Sequence, residues 1–213
     1  MFERARRQPP RGLAAAAPAP LASPRGSGDP APIENPPLAY HITTRTHGTW
    51  LPGNQRGSVD RGHNAFGTPT LPEDAARERW NRERMRSAPT RLSAADRAVV
   101  VEETRRTCAF RGWRLRAVHA RGEHVHTLVS APVPPERVAG ELKAWCSRRL
   151  HQARRHRDHE IWARHASTRY CFSEASLAHA WAYVLDEQGP RMAHWPDRGD
   201  APTRVAEHPW WQR

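Results

Sequence analysis

Lysine is almost missing from this chain. Lys and Arg together number 34 in 213 residues, and Lys143 is the only lysine. A GC-rich gene would account for arginine replacing lysine. It would not account for a formal net charge of +12 or a sequence pI near 11.2. Such a balance points to polyanionic partners, and the planar guanidinium suits two-point contact with phosphate. Cysteine is scarce as well. Cys108, Cys146 and Cys171 are an odd number with no C-x-x-C spacing, which argues against a disulfide framework and against a zinc knuckle and fits a reducing cytosol. Also lacking is any apolar run near the ~20 residues of a membrane span. Arg4, Arg6 and Arg7 ahead of LAAAAPAPLAS faintly resemble a signal peptide, but Pro18 and Pro20 break the apolar part. We therefore expect a cytoplasmic protein that is nucleoid-associated through DNA binding, with no membrane partner.

The chain divides by composition. Residues 1–37 are rich in Ala, Pro, Arg and Gly without apolar period, and are expected to be a disordered arm. A single domain is expected over 38–190, with an insertion at 47–92, and a tail over 191–213 that has tryptophans but no period. Leu38 to Thr46 alternates as a first strand. Four closely spaced glycines open the insertion, which carries a short arginine-rich helix between Glu73 and Arg86. Ser93 and Asp96 form a capping-box-like start to a helix that Gly112 stops, with Val100, Thr104 and Cys108 as its stripe. Trp113 to Arg121 is a second strand that turns at Gly122-Glu123 into a third. Pro134 and Pro135 open the next helix, with Val138, Leu142, Trp145, Cys146 and Leu150 facing inward. ASTRYCF reads as a short fourth strand. EASLAHAWAYVLDEQG after Ser173 reads as a last helix ended by Gly189-Pro190. The order β, insertion, α, β, β, α, β, α gives an α+β fold of the ferredoxin-like split βαβ type. Its expected form is a four-stranded antiparallel sheet, helices on one face, and a C-terminal helix bearing Tyr183.

The third strand, EHVHTLVSA from Glu123 to Ala131, holds the most chemistry. Alternation puts His124, His126, Leu128 and Ser130 on one side, so two imidazoles about 7 Å apart at Cα can converge on one ion. The last helix has its core stripe at Leu177, Trp181, Val184 and Leu185, which leaves Tyr183 roughly opposite. A histidine-triad nucleotide hydrolase would need a third alternating histidine where Leu128 stands. A metallo-β-lactamase-like hydrolase would need an aspartate shortly after the pair, and Thr127 to Ser130 provides none.

Taken with YHITTRTHGTWLPG, RLRAVHARGEHVHTLVSA, LKAWCSRRL, STRY and AWAYVLDEQG, the pattern resembles the single-tyrosine transposases of the HUH superfamily, in particular the insertion-sequence-like, REP-associated branch. The resemblance spans about Leu38 to Gly189. It implies a DNA transposase and single-strand endonuclease that cleaves and rejoins hairpin-containing DNA through a 5′-phosphotyrosine link. Tyr183 would be the nucleophile, and His124 and His126 would bind a divalent metal, Mg2+ or Mn2+. For a third, oxygen-bearing ligand the resemblance favours Gln188, while an ideal helix favours Glu187, one turn beyond Tyr183. Both stay open here. Hairpin-bearing single-stranded DNA and a homodimer are the implied partners. Arg45, Arg121, Lys143, Arg148 and Arg149 are expected to contact nucleic acid. A catalytically silent hairpin DNA or RNA binder descended from such an enzyme is the alternative from another class. A basic ribosome-associated protein would leave the histidine pair and Tyr183 unexplained.

Overall fold

The computed structural model describes residues 36–59, 69–154 and 160–196. Nearly all of the expected N-terminal arm lies outside them, as does the tail from residue 197, with Trp210 and Trp211. Among the described residues the elements run β1 (Ala39–Thr46), α1 (Ala75–Glu83), α2 (Ala94–Arg111), β2 (Arg114–Ala120), β3 (His124–Ser130), α3 (Pro135–Arg154), β4 (Trp162–Cys171), α4 (Glu174–Leu185) and β5 (Ala193–Trp195). None of these helices is long and apolar enough to cross a membrane.

The strands form one sheet in the order β4-β1-β3-β2-β5, antiparallel throughout. The expectation of four strands is corrected to five. Ala193, His194 and Trp195 pair with Ala120, His119 and Val118. Three residues are too few to show a period, and it is the exposed edge of β2 that makes them a strand. β4 is also longer than its seven-residue motif, because the ladder with β1 continues back to Trp162 opposite Thr46. The histidine strand β3 lies in the middle of the sheet, next to β1 and β2.

Alternation gives the sheet two buried faces. Tyr40, Ile42 and Val129 pack with Val138 and Leu142 of α3, and Val118, Ala120 and Val125 pack with Val100, Val101, Cys146 and Leu150 from α2 and α3. On the other face Ala39, Ala117 and Leu128 pack under Leu177, Ala180, Val184 and Leu185 of α4. Two alanines at the centre of that face let α4 come close. Leu128 is fully buried there, a contribution of about 1.5–3 kcal/mol on the scale of apolar transfer.

Local chemistry sets the helix ends. Ser93 Oγ accepts from the Asp96 amide (3.2 Å) while Asp96 Oδ2 accepts from the Ser93 amide (2.8 Å), a closed capping box on α2. Gly112 ends α2 with φ 66°, a left-handed conformation that costs glycine little. α4 is capped by Ser173 and stops at Leu185, not at Gly189 as expected. Asp186 to Pro190 bends away, and that bend changes where Glu187 and Gln188 point. The insertion is tied at its base, where the Thr90 amide donates to the His47 carbonyl (2.9 Å). Gly53 lies so near α1 that a Cβ would meet the Asp74 carbonyl at 2.4 Å.

Candidate active site

His124 and His126 project from β3 on the α4 side of the sheet, their ring centroids 4.8 Å apart. His126 lies across the ladder from Thr43, and His124 from Arg45. His126 is only 4% exposed. Its surroundings are nevertheless polar. Nε2 lies 3.0 Å from Gln188 Oε1, and Nδ1 lies 3.0 Å from Thr43 Oγ1 and 3.1 Å from His41 Nε2.

His41 is the site residue that sequence reading missed. It sits on β1, is buried, and completes a cluster of three imidazoles. The available signal was its alternation with Thr43 and Arg45, but only the β1–β3 register shows that this face meets His126. Burial lowers the pKa of all three rings. His126 falls to about 3, helped by its neighbours His124 and His41. His124 falls to about 4, with Arg45 and Arg121 adding to the effect of burial, and His41 to about 4, with Arg169 adding. At neutral pH all three rings are uncharged, the form in which an imidazole offers a lone pair.

Tyr183 leaves α4 on the edge of its buried stripe and is 37% exposed. Its ring centroid stands 5.6 Å from that of His126 and 5.5 Å from that of His41, in edge-on contact with both. Tyr170, the tyrosine of the STRY motif, lies elsewhere. It is exposed on the edge strand β4, edge-on to Tyr40 and stacked on Phe172.

The two acid-or-amide candidates separate clearly. Because α4 ends at Leu185, Glu187 is exposed on the bend and Gln188 turns back over the site. The Gln188 amide bridges both partners: Oε1 to His126, and Nε2 donating to the Tyr183 carbonyl at 3.0 Å.

The basic residues divide between two sides. Arg45 lies beside His124, its guanidinium 3.5 Å from the Trp50 ring centroid. Burial lowers the pKa of Arg45 to about 10, and it stays charged. Arg121 follows β2 and donates to the Pro190 carbonyl at 2.6 Å. Arg169, which sequence reading did not single out, lies opposite His41. Arg148 and Arg149 are on α3, across the sheet from the histidines. Arg148 stacks on Trp145, and Arg149 pairs with Glu103 at 3.4 Å. Lys143 is on α3 as well, where its ammonium donates to the Ala163 and Arg164 carbonyls at 2.7 and 3.0 Å.

Among the described residues no group of three or more His, Cys, Asp or Glu side chains is placed to hold a metal. An amide oxygen changes the donor set to two neutral imidazoles and Gln188 Oε1. Neighbouring ligands on an octahedral ion with bonds of about 2.1 Å are about 3 Å apart. His126 Nε2 and Gln188 Oε1 have that separation. Thr43 and His41 at Nδ1 give the ring the oriented outer partner typical of ligating histidines, leaving Nε2 as the ligating atom. The residues present therefore fit a divalent cation.

A buried imidazole cluster, an amide that joins it to a helix, and a half-exposed tyrosine above it thus lie together on one face of an α+β sheet. No protein-family profile and no curated protein matches the chain. Solved structures similar to it include two transposase structures. One is described as "the REP associates tyrosine transposase bound to a REP hairpin", at 10% identity over 75% of this chain and 70% of that one, TM-score 0.38. The other is described as "a putative transposase from deinococcus radiodurans r1", at 17% identity over 77% and 95%, TM-score 0.38. At those scores the likeness carries no weight for the mechanism, and the functional reading rests on the site itself.

Proposed function

We propose that this protein is a metal-dependent tyrosine endonuclease and transposase acting on hairpin-bearing single-stranded DNA. The observation that carries the reading is the stacking of Tyr183 edge-on over His126 and His41, with Gln188 tying the tyrosine helix to His126. His124, His126 and Gln188 would hold the divalent ion, magnesium or manganese. When bound, that ion supplies positive charge against the phosphoryl oxygens of the scissile diester.

The chain's own residues do the rest. The Tyr183 oxygen attacks phosphorus, a phosphorus–tyrosyl oxygen bond forms, and the bond to the 3′-oxygen breaks. The phenolic proton is lost to solvent and the departing 3′-oxygen takes one up as a hydroxyl. The phosphodiester is conserved as a 5′-phosphotyrosyl link, so the strand can be resealed without ATP. Arg45, Arg121 and Arg169 border the site and offer cationic contacts to the flanking phosphates. A homodimer belongs to this reading, and sedimentation of the purified chain measures it.

The test is incubation with labelled hairpin DNA and manganese, followed by a denaturing gel. Wild type should give a covalent protein–DNA adduct. Tyr183→Phe should give none while binding the hairpin with unchanged affinity, and Tyr170→Phe should behave as wild type. Loss of the adduct in Tyr170→Phe, with its persistence in Tyr183→Phe, refutes the assignment. Hairpin binding without any adduct in wild type points to the silent binder.

A further inference from the structure

His119 belongs to none of the groups discussed so far, yet it is the most completely enclosed histidine among the described residues, at 0% exposure. It sits on β2 directly across the ladder from His126. Both ring nitrogens are engaged. The backbone amide of Met192 points at Nε2 from 3.2 Å, and a backbone N–H can only donate, so Nε2 is the acceptor. The proton is therefore on Nδ1, which donates to the Val184 carbonyl at 2.8 Å.

Those two partners bracket the proposed catalytic segment. Val184 follows Tyr183, and its carbonyl is in the last turn of α4, where no intrahelical donor remains. Met192 comes after the bend that carries Gln188 and immediately before β5, which runs back along β2. Arg121, two residues after His119, fastens the same bend through the Pro190 carbonyl, and Arg191 pairs with Asp186 inside it. One rigid ring thus ties the outgoing and returning ends of the segment to the strand next to the histidine pair.

We propose that His119 is the positioning residue of this site: it anchors the tyrosine helix and the Gln188 bend over His126 of the same chain. A leucine or phenylalanine could fill the volume but offers neither bond. Glutamine, with a donor and an acceptor on one amide, could restore both. The kinetic half of this inference rests on the proposed tyrosine chemistry, and the structural half does not.

The experiment compares wild type, His119→Ala, His119→Gln and Met192→Pro as full chains. Met192→Pro removes the donated N–H without touching β2, so it carries the test if His119→Ala fails to fold. Three quantities are read: amide exchange over 186–196, hairpin affinity, and the rate of adduct formation at saturating hairpin. Misplacement of a reacting group by about 1 Å costs roughly 100-fold in rate. We expect a loss of that order in His119→Ala and Met192→Pro, faster exchange confined to 186–196, affinity within threefold, and substantial recovery in His119→Gln. An unchanged adduct rate in a folded variant overturns the inference, as does an affinity loss that matches the rate loss. If wild type forms no adduct, the tyrosine chemistry fails, and exchange alone decides the anchor. A Met192 amide that exchanges as fast in wild type as in His119→Ala then overturns it.

Discussion

Gln188 Oε1 lies 3.0 Å from His126 Nε2, joining the end of the tyrosine helix to the centre of the sheet. The contact exists because α4 stops at Leu185 and the bend returns Gln188 over β3, while Glu187 faces solvent. Gln188→Ala should reduce manganese affinity, measured by calorimetry, by about 10–100-fold, the usual cost of disturbing a ligand set. Glu187→Ala should stay within twofold. The reverse pattern would transfer the oxygen-ligand role to Glu187.

The arginines should separate by face. Arg45→Ala, Arg121→Ala and Arg169→Ala should each slow adduct formation and lower the salt dependence of hairpin binding by about one unit of slope per lost phosphate contact. Arg148→Ala and Arg149→Ala, on the far side of the sheet, should leave the adduct rate within twofold. Salt titrations of each variant give the slopes. A larger rate effect at Arg149 than at Arg45 would place the scissile strand on the wrong face in the present reading.

Lys143 should behave as a structural residue. Lys143→Met keeps the aliphatic stem but leaves the Ala163 and Arg164 carbonyls without their donor. Denaturant unfolding should show a loss of about 1–3 kcal/mol. Hairpin affinity should change less than twofold. Weakened binding at unchanged stability would return Lys143 to the nucleic-acid surface.

Acid should weaken the fold through Asp96. Burial alone would raise its pKa, but hydrogen bonds from Arg154 (2.8 and 2.9 Å) and Ser93 outweigh burial and bring it down to about 2. The folded pKa is below the unfolded one, so the carboxylate stabilises the protein above about pH 4. That contribution, about 2 kcal/mol, is lost as the pH falls toward 2. Unfolding free energies measured from pH 5 to 2 should therefore fall more steeply in wild type than in Asp96→Asn. Parallel curves would show that Asp96 is not the group responsible.

The active site should act in cis. A mixture of Tyr183→Phe and His124→Ala chains should form no more adduct than the two chains separately, because Tyr183 already stands over the histidines of its own chain. Recovery of the adduct in the mixture would mean that the helix exchanges between chains.

Much of this was legible in the order of residues because it depends on local chemistry. Alternation in EHVHTLVSA put His124 and His126 on one side of a strand, since side chains on extended backbone alternate whatever surrounds them. Ser93, Asp96 and Gly112 marked the ends of α2 through their own hydrogen bonds and backbone freedom. The 100° turn per residue kept Tyr183 out of the fully buried stripe of α4, but in the fold it stands at the edge of that stripe, over His126 and His41, and not roughly opposite it. Tertiary structure decided what depends on residues far apart in the chain. His41 joined the site through its contact with His126, 85 positions away, which the β1–β3 ladder brings within reach. Ala193 to Trp195 became a strand only by meeting the edge of β2. Where Glu187 and Gln188 point turned on where α4 ends, and the Lys143 ammonium met carbonyls of β4. In each case a burial or hydrogen bond made across the fold outweighed the local preference, and such partners have no signature in the neighbouring sequence.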